Sequence, residues 1–172
     1  DFINALTTPY GTSRFTTAES GRTRRLTATD PQGDIEVLEF NEDAGVVPYE
    51  DPPGTLPAGM ALRNWILNSR NTFFWSKKAW AENPNDYTKA HLTHWQHTAD
   101  FNMADNVIES EIPPLQNRIW YNYPGQPSGD AGATAPGSMN HPSKVGRRLD
   151  DGSTQLVQYS YNSLGLITSV TD

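Results

Sequence analysis

Residues 155–172, at the C-terminal end of the sequence, have the pattern of a single β-hairpin. Tyr159 and Tyr161 alternate with polar residues, and the stretch is rich in the β-branched and aromatic residues that favour strands. Between the two halves, Asn162 tolerates a positive φ and Gly165 adopts one without steric cost, as a tight turn requires. Because one hairpin alone cannot bury its apolar face, this pattern requires further strands elsewhere in the chain.

The same pattern occurs near the N-terminus, so the sequence contains an internal repeat. Residues 34–45 match the first half of the C-terminal hairpin with one extra loop residue, and residues 24–30 resemble residues 167–172. In this alignment, Leu38, Phe40, Asn41 and Gly45 take the places of Tyr159, Tyr161, Asn162 and Gly165. Such repeats are typical of architectures in which each unit covers its neighbour. We therefore predict a meander of strands near 12–18, 24–29 and 34–40, and a hairpin of the same type at 155–171.

The string Tyr-x-Tyr-Asn-x-x-Gly-x-x-Thr-x-x-Thr-Asp at 159–172 resembles the tyrosine-aspartate (YD) repeat of Rhs proteins. Asn162 stands where that repeat usually has Asp. The same repeat builds the shells of bacterial toxin-complex subunits and of teneurins. Residues 59–145 also resemble a segment found inside some Rhs-type proteins, to which no activity is attached.

The resemblance implies a structural role without catalysis and without a cofactor. Stacked hairpins would form a spiralling sheet around a chamber that holds a polypeptide, in a secreted or envelope-associated bacterial protein. We expect this chain to be one panel of such a β-shell, cut from a longer parent. Its partners would be the neighbouring YD-repeat hairpins and the enclosed polypeptide or a glycan.

The predicted fold class is all-β, mainly antiparallel hairpins of YD-repeat type with a loop-rich insertion and one short helix. We divide the chain into YD-like hairpins at 1–45, an aromatic-rich insertion at 46–145 and a YD-repeat hairpin at 146–172. Residues 46–60 carry four prolines and two glycines, which predict an irregular loop. The remaining predicted elements are a helix at 61–69, strands at 107–112 and 115–123, and a linker-like tail at 126–140. The stretches 72–80 and 88–97 fit a helix or a strand, and we favour strands because the turn between them would make a hairpin.

Charge and composition weaken several classes of function. The chain has 13 Lys and Arg against 20 Asp and Glu, a net charge of −7, which disfavours binding to nucleic acid or to an anionic membrane. No apolar run approaches the ~18 residues of a membrane span. With no cysteine, the chain has no disulfide, thiol nucleophile or thiolate metal site.

Three histidines, His91, His94 and His97, recur at intervals of three, and three histidines can hold a catalytic zinc ion. On a strand His94 would point away from the other two, and on a helix the outer pair would diverge by about 120°. No Glu follows in the His-Glu-x-x-His pattern of zinc proteases. We therefore expect histidines on a polar sheet face, with a His-based metal-dependent enzyme as an alternative.

Glu109 and Glu111 are expected to share one face of a strand, with their Cα atoms about 6.5–7 Å apart. Paired carboxylates at ~5–10 Å catalyse glycoside hydrolysis, although this spacing is common on solvated strands. Aromatic residues of the insertion could instead stack on a sugar or a peptide, or pack in the core. The candidates for such a binding module are Trp75, Trp80, Trp95, Trp120 and Tyr121.

Overall fold

The computed structural model describes residues 2–100, 102–126 and 135–172. Within these ranges eleven strands form one antiparallel sheet, and their spatial order is their order along the chain. The strands are β1 (Ala5–Thr8), β2 (Gly11–Ser20), β3 (Thr23–Thr29), β4 (Ile35–Asp43), β5 (Ser69–Trp75), β6 (His91–His97), β7 (Ala104–Ile112), β8 (Ile119–Asn122), β9 (Lys144–Arg148), β10 (Thr154–Tyr161) and β11 (Ile167–Thr171). The predicted all-β class is confirmed.

Helical structure is sparse. The described residues contain one α-helix, α1 (Lys77–Glu82), and two 3-10 turns at Pro53–Thr55 and Tyr87–Lys89. Ser76 caps α1, since its hydroxyl accepts a hydrogen bond from the Ala79 amide at 3.4 Å. In the part of the chain that the structure describes, no helix is long and apolar enough to cross a membrane.

The predicted N-terminal meander and C-terminal hairpin are both confirmed. β2 pairs with β3 and β3 with β4, each antiparallel, and β10 pairs with β11. The linking turns 30–34, 149–153 and 162–166 have the same backbone geometry. In each turn the first amide donates to the carbonyl of the fifth residue at 2.9 Å, and the fourth residue is a glycine that donates back to the first carbonyl at 2.9–3.1 Å. These glycines are Gly33, Gly152 and Gly165, all with positive φ.

The proposed equivalence of Asn41 and Gly45 with Asn162 and Gly165 is wrong. Asn41 lies inside β4, and Gly45 is not among the glycines with positive φ. Asp30 is the true counterpart of Asn162. Its carboxylate accepts the amides two and four residues ahead at 2.9 Å, as the Asn162 side chain does at 3.0 Å.

The middle of the chain departs from the prediction in several places. The expected helix at 61–69 is wrong, since Trp65 forms a β-bridge with Glu50 and Ile66 has a φ of 63°. The predicted strand at 72–80 ends at Trp75, and α1 follows it. β1 and β9 were not predicted, and part of the proposed 126–140 tail lies outside the described residues.

Residues 44–68, which we call the cover segment, lie across one face of the sheet, the inner face. Its Ala44, Val47 and Leu67 are buried against the apolar side chains of that face. Those side chains are Val37, Phe73, Trp75, Leu92 and Trp120. Trp80, Tyr87 and Ala90 of the β5–β6 connection complete the core, which is thus built from one sheet face, the cover segment and this connection.

Polar contacts hold the cover segment to β8 and β9. The Asn122 side chain accepts from the Ala61 amide at 3.0 Å and donates to the Ala61 carbonyl at 2.8 Å. The Lys144 ammonium donates to the Gly59 carbonyl at 2.6 Å. At Gly146 a Cβ atom would collide with the Met60 thioether, so the segment passes directly over the β9 backbone.

The shared turn geometry predicts that an alanine substitution destabilises the protein at Gly33 but not at Gly45. Gly33→Ala should lower the free energy of unfolding by about 1–2 kcal/mol, because its φ of +96° is unfavourable for a residue with a Cβ atom. Gly45→Ala is the matched control, since Gly45 lacks a positive φ and a methyl group there would meet no described atom within 4 Å. Urea denaturation of both variants measures the difference. Equal losses would contradict the assignment of Gly33 as the turn residue.

Candidate functional site

A group of polar side chains is buried between the centre of the sheet and the cover segment. We call it the inner polar cluster. Its members are Arg70, Asn71, His94, Gln96, Glu109, Ser110 and Arg118, each at most 8% exposed. Strand pairing aligns its middle, since Asn71 lies opposite His94 and His94 opposite Ser110. The cluster therefore spans the inner face from β5 to β7 and reaches Arg118 just before β8.

A β-bulge brings Glu109 into this cluster. His94 pairs with Ser110, but the next residue, Trp95, pairs with Ile108, so Glu109 is the extra residue of β7. As a result Glu109 and Ser110 are both buried although they are adjacent. The expectation that Glu109 and Glu111 share a face is wrong, because the bulge breaks the alternation between them.

Glu109 is buried next to Arg70 and His94, neither of which forms a close hydrogen bond with it. Its Oε2 lies 3.6 Å from Arg70 Nη2 and 3.7 Å from His94 Nε2. Neither carboxylate oxygen has a hydrogen-bond partner among the described residues, nor do His94 Nε2 and the Gln96 amide. Buried Glu39 contrasts with it, since Glu39 accepts from Arg25 Nε at 2.8 Å and from the Tyr87 hydroxyl at 2.7 Å.

Burial shifts the pKa values of Glu109 and His94 in opposite directions. Loss of solvent raises the pKa of Glu109 to about 8, although Arg70 and Arg118 act to lower it. The same loss of solvent places the pKa of His94 well below its usual value, helped by the same two arginines. The imidazole of His94 is therefore neutral at pH 7, and its Nδ1 lies 2.9 Å from the Asn71 Oδ1.

The three histidines do not converge. His94 belongs to the inner polar cluster, whereas His91 Nε2 lies 2.9 Å from Glu111 Oε2. The other carboxylate oxygen of Glu111 accepts a hydrogen bond from the Tyr121 hydroxyl at 2.5 Å. The Nδ1 of His97 lies 2.7 Å from the Thr98 carbonyl. Among the described residues, no group of three His, Cys, Asp or Glu side chains could hold a metal ion.

The aromatic candidates divide by exposure. Trp75 and Trp120 are fully buried, so they present no ring face to a ligand. Trp75 packs edge-on against Trp80 and Tyr87, with centroids 5.8 and 5.3 Å apart. Trp80, Trp95 and Tyr121 are half-buried.

The aromatic residues of the two repeat-like stretches lie in strands. Phe40 in β4 and the pair Tyr159 and Tyr161 in β10 are half-buried. The Tyr161 hydroxyl donates to the Pro142 carbonyl at 2.8 Å, and its ring stacks on His141 at 5.8 Å. These contacts fix the last hairpin against the chain that precedes β9.

The sheet has two open edges. Among the residues that the structure describes, β1 and β11 each pair with a single strand, and every residue of both is exposed. β11 carries exposed Ile167 and Val170 and contains no proline or charged residue. Natural edge strands usually carry such protection, so β11 is suited to pair with a further strand.

Sequence reasoning missed Arg70, Arg118 and Gln96. The three residues lie in separate segments of the chain, in β5, in the β7–β8 connection and in β6. The cluster forms only when these segments become adjacent in the folded sheet. Arg118 also pairs with Asp51 of the cover segment, Nε to Oδ2 at 3.0 Å. No local pattern in the sequence signals a contact between residues so far apart.

Comparisons with known proteins identify no relative. No family model, no curated protein and no solved structure matches this chain.

The pKa of Glu109 predicts how stability depends on pH. Because that pKa is raised in the folded state, the stabilisation by protonated Glu109 is lost as the pH rises toward 8. The free energy of unfolding should therefore fall as the pH rises from 6.5 to 9. This range lies above the pKa that His94 has in the unfolded chain, so the titration of His94 contributes little to the change. Glu109→Gln should flatten this dependence, as measured by urea denaturation at several pH values. Glu19→Gln is the control, because Glu19 is an exposed carboxylate on β2; equal slopes in both variants would contradict the assignment.

Proposed function

We propose that this chain is a non-catalytic structural panel of a larger β-shell of the Rhs/YD-repeat type. The shell would enclose or present another polypeptide in a secreted or envelope-associated bacterial protein. The observation that carries this proposal is the recurrence of one turn geometry at 30–34, 149–153 and 162–166 in a single sheet. Identical turns at both ends are expected if the sheet grows by repetition of one hairpin unit.

The strand order supports growth at the edges. Every described strand pairs with its neighbours in chain order, so a further hairpin can be added without rearranging the existing ones. The exposed and unprotected β11 offers free backbone groups for that addition.

The inner polar cluster also favours a structural role over an enzymatic one. Glu109 and His94 are 1% and 0% exposed, under the cover segment. A catalytic acid or base has to reach its substrate, whereas groups buried in this way act on the packing of the sheet. The charged groups that remain exposed on the strands are typical of a solvated surface.

An extension of the chain tests the panel proposal. Residues 29–30 and 171–172 are both Thr-Asp, so a second copy of residues 31–40 fused after Asp172 would repeat the β3–β4 hairpin at the edge. If β11 accepts the next repeat, those of its amides that face away from β10 should exchange with solvent at least about tenfold more slowly than in the parent chain, since they gain hydrogen-bond acceptors on the added strand. Amide hydrogen exchange measured by NMR gives this ratio residue by residue.

The matched control carries the same extension with proline in place of the added copy's leucine. In the original hairpin, the bonds from the Asp30 amide to the Asp34 carbonyl and from the Glu42 amide to the Arg22 carbonyl show that the even-numbered residues of β4 bond to β3. A proline at the place of Leu38 therefore cannot donate to the strand with which the copy pairs. The control should leave the exchange of β11 unchanged. Equal exchange in the parent chain and in the leucine-containing extension would refute growth of the sheet at this edge.

A further inference from the structure

A cleft of about 410 Å³ lies where β4 and β5 meet the cover segment, at one end of the inner polar cluster. Its walls include two aromatic rings and four charged side chains. They are Tyr49, Trp65, Arg22, Glu42, Asp43 and Arg70. A volume of this size falls within the range of small-molecule sites.

The backbone beside the cleft is strained at two positions. Ile66 and Arg70 have φ values of 63° and 54°, which a β-branched or bulky residue rarely adopts. Local contacts hold this conformation. The Ser69 amide and hydroxyl both donate to the Ile66 carbonyl at 3.1 Å, and Asn71 Nδ2 donates to the Leu67 carbonyl at 2.8 Å. Strain that the surrounding structure maintains tends to occur at functional sites.

The charges in the cleft balance. Arg22 and Arg70 share the cleft with Glu42 and Asp43, so a ligand with a large net charge of either sign would gain little electrostatic attraction. Arg70 is already engaged, with its Nε donating to the Trp95 carbonyl at 3.0 Å and its Nη2 near Glu109. The walls thus offer both donors and acceptors to a neutral polar ligand.

The aromatic rings add a surface for stacking. Tyr49 is 57% exposed and provides most of this surface, because the Arg63 guanidinium already lies over the Trp65 ring, 5.8 Å from its centroid. Planar rings next to mixed donors and acceptors match a sugar, which has an apolar ring face and a rim of hydroxyl groups.

We propose that this cleft binds a neutral saccharide of one or two sugar units. The sugar ring packs against Tyr49 and Trp65, and its hydroxyls donate to Glu42 and Asp43 and accept from Arg22. This site is separate from the open strand edges, and its aromatic residues differ from those suggested by the sequence pattern.

The test is a titration of the full chain with glucose, galactose, N-acetylglucosamine and their β-1,4-linked disaccharides. Protein-observed NMR up to about 10 mM sugar detects a Kd of about 1 mM. At least one sugar should give saturable shifts at the cleft. Tyr49→Ala and Asp43→Asn should each weaken that binding about tenfold or more, and Tyr49 is exposed enough for its variant to fold. Tyr10→Ala is the control, because Tyr10 is 92% exposed on the turn between β1 and β2, outside the cleft.

Two results would overturn the proposal. One is the absence of saturable shifts with every sugar of the panel in the folded wild-type protein. The other is binding that survives Tyr49→Ala and Asp43→Asn unchanged, since the sugar would then sit elsewhere. Failure of either kind leaves the sheet-extension experiment unaffected, because that experiment probes β11.

Discussion

The packing of the cover segment on the inner face is the interaction on which the rest of the structure depends. A single sheet has no second sheet to bury its apolar side chains, and here Ala44, Val47 and Leu67 supply the missing layer. The same layer removes solvent from Glu109 and His94, and so sets the direction of both pKa shifts. It also forms one wall of the cleft. Loss of this contact would therefore expose the core and the polar cluster together.

Burial of two arginines beneath that layer favours one alignment of the strands. Arg70 and Arg118 stay charged, and a buried arginine that loses its acceptors is strongly unfavourable, because its charge is left without a partner. The bulge at Glu109 puts its carboxylate near Arg70 of β5 and His94 of β6, and Arg118 reaches Asp51 in the cover segment. A slip of β6 against β7 by one residue would separate these groups. The cluster thus acts on register more than on total stability.

Local sequence patterns predicted those strands and turns whose structure depends on neighbouring residues. Alternation and turn residues located β2 to β4 and the β10–β11 hairpin, because a turn needs only its own residues. The helix expected at 61–69 failed because Leu62 packs against the core from an irregular chain, and Trp65 is held in a β-bridge with Glu50. The bulge at Glu109 and the Arg118–Asp51 pair were beyond prediction, since both arise from tertiary contacts. Asp30 could have been found, because Asp30-x-x-Gly33 has the spacing of Asn162-x-x-Gly165.

The position of the cover segment explains how a repeat sheet can carry so long an insertion. The chain leaves the sheet after Asp43 and returns at Ser69, and these two residues are cross-strand partners. The Ala44 amide donates to the Asn68 carbonyl at 2.7 Å, which closes the insertion at its base. The cover segment therefore occupies the place of a hairpin turn, and β4 and β5 pair as they would if a short turn joined them. Insertion at a turn leaves the strand order intact, so the centre gains its own core while β1 and β11 stay open to further strands.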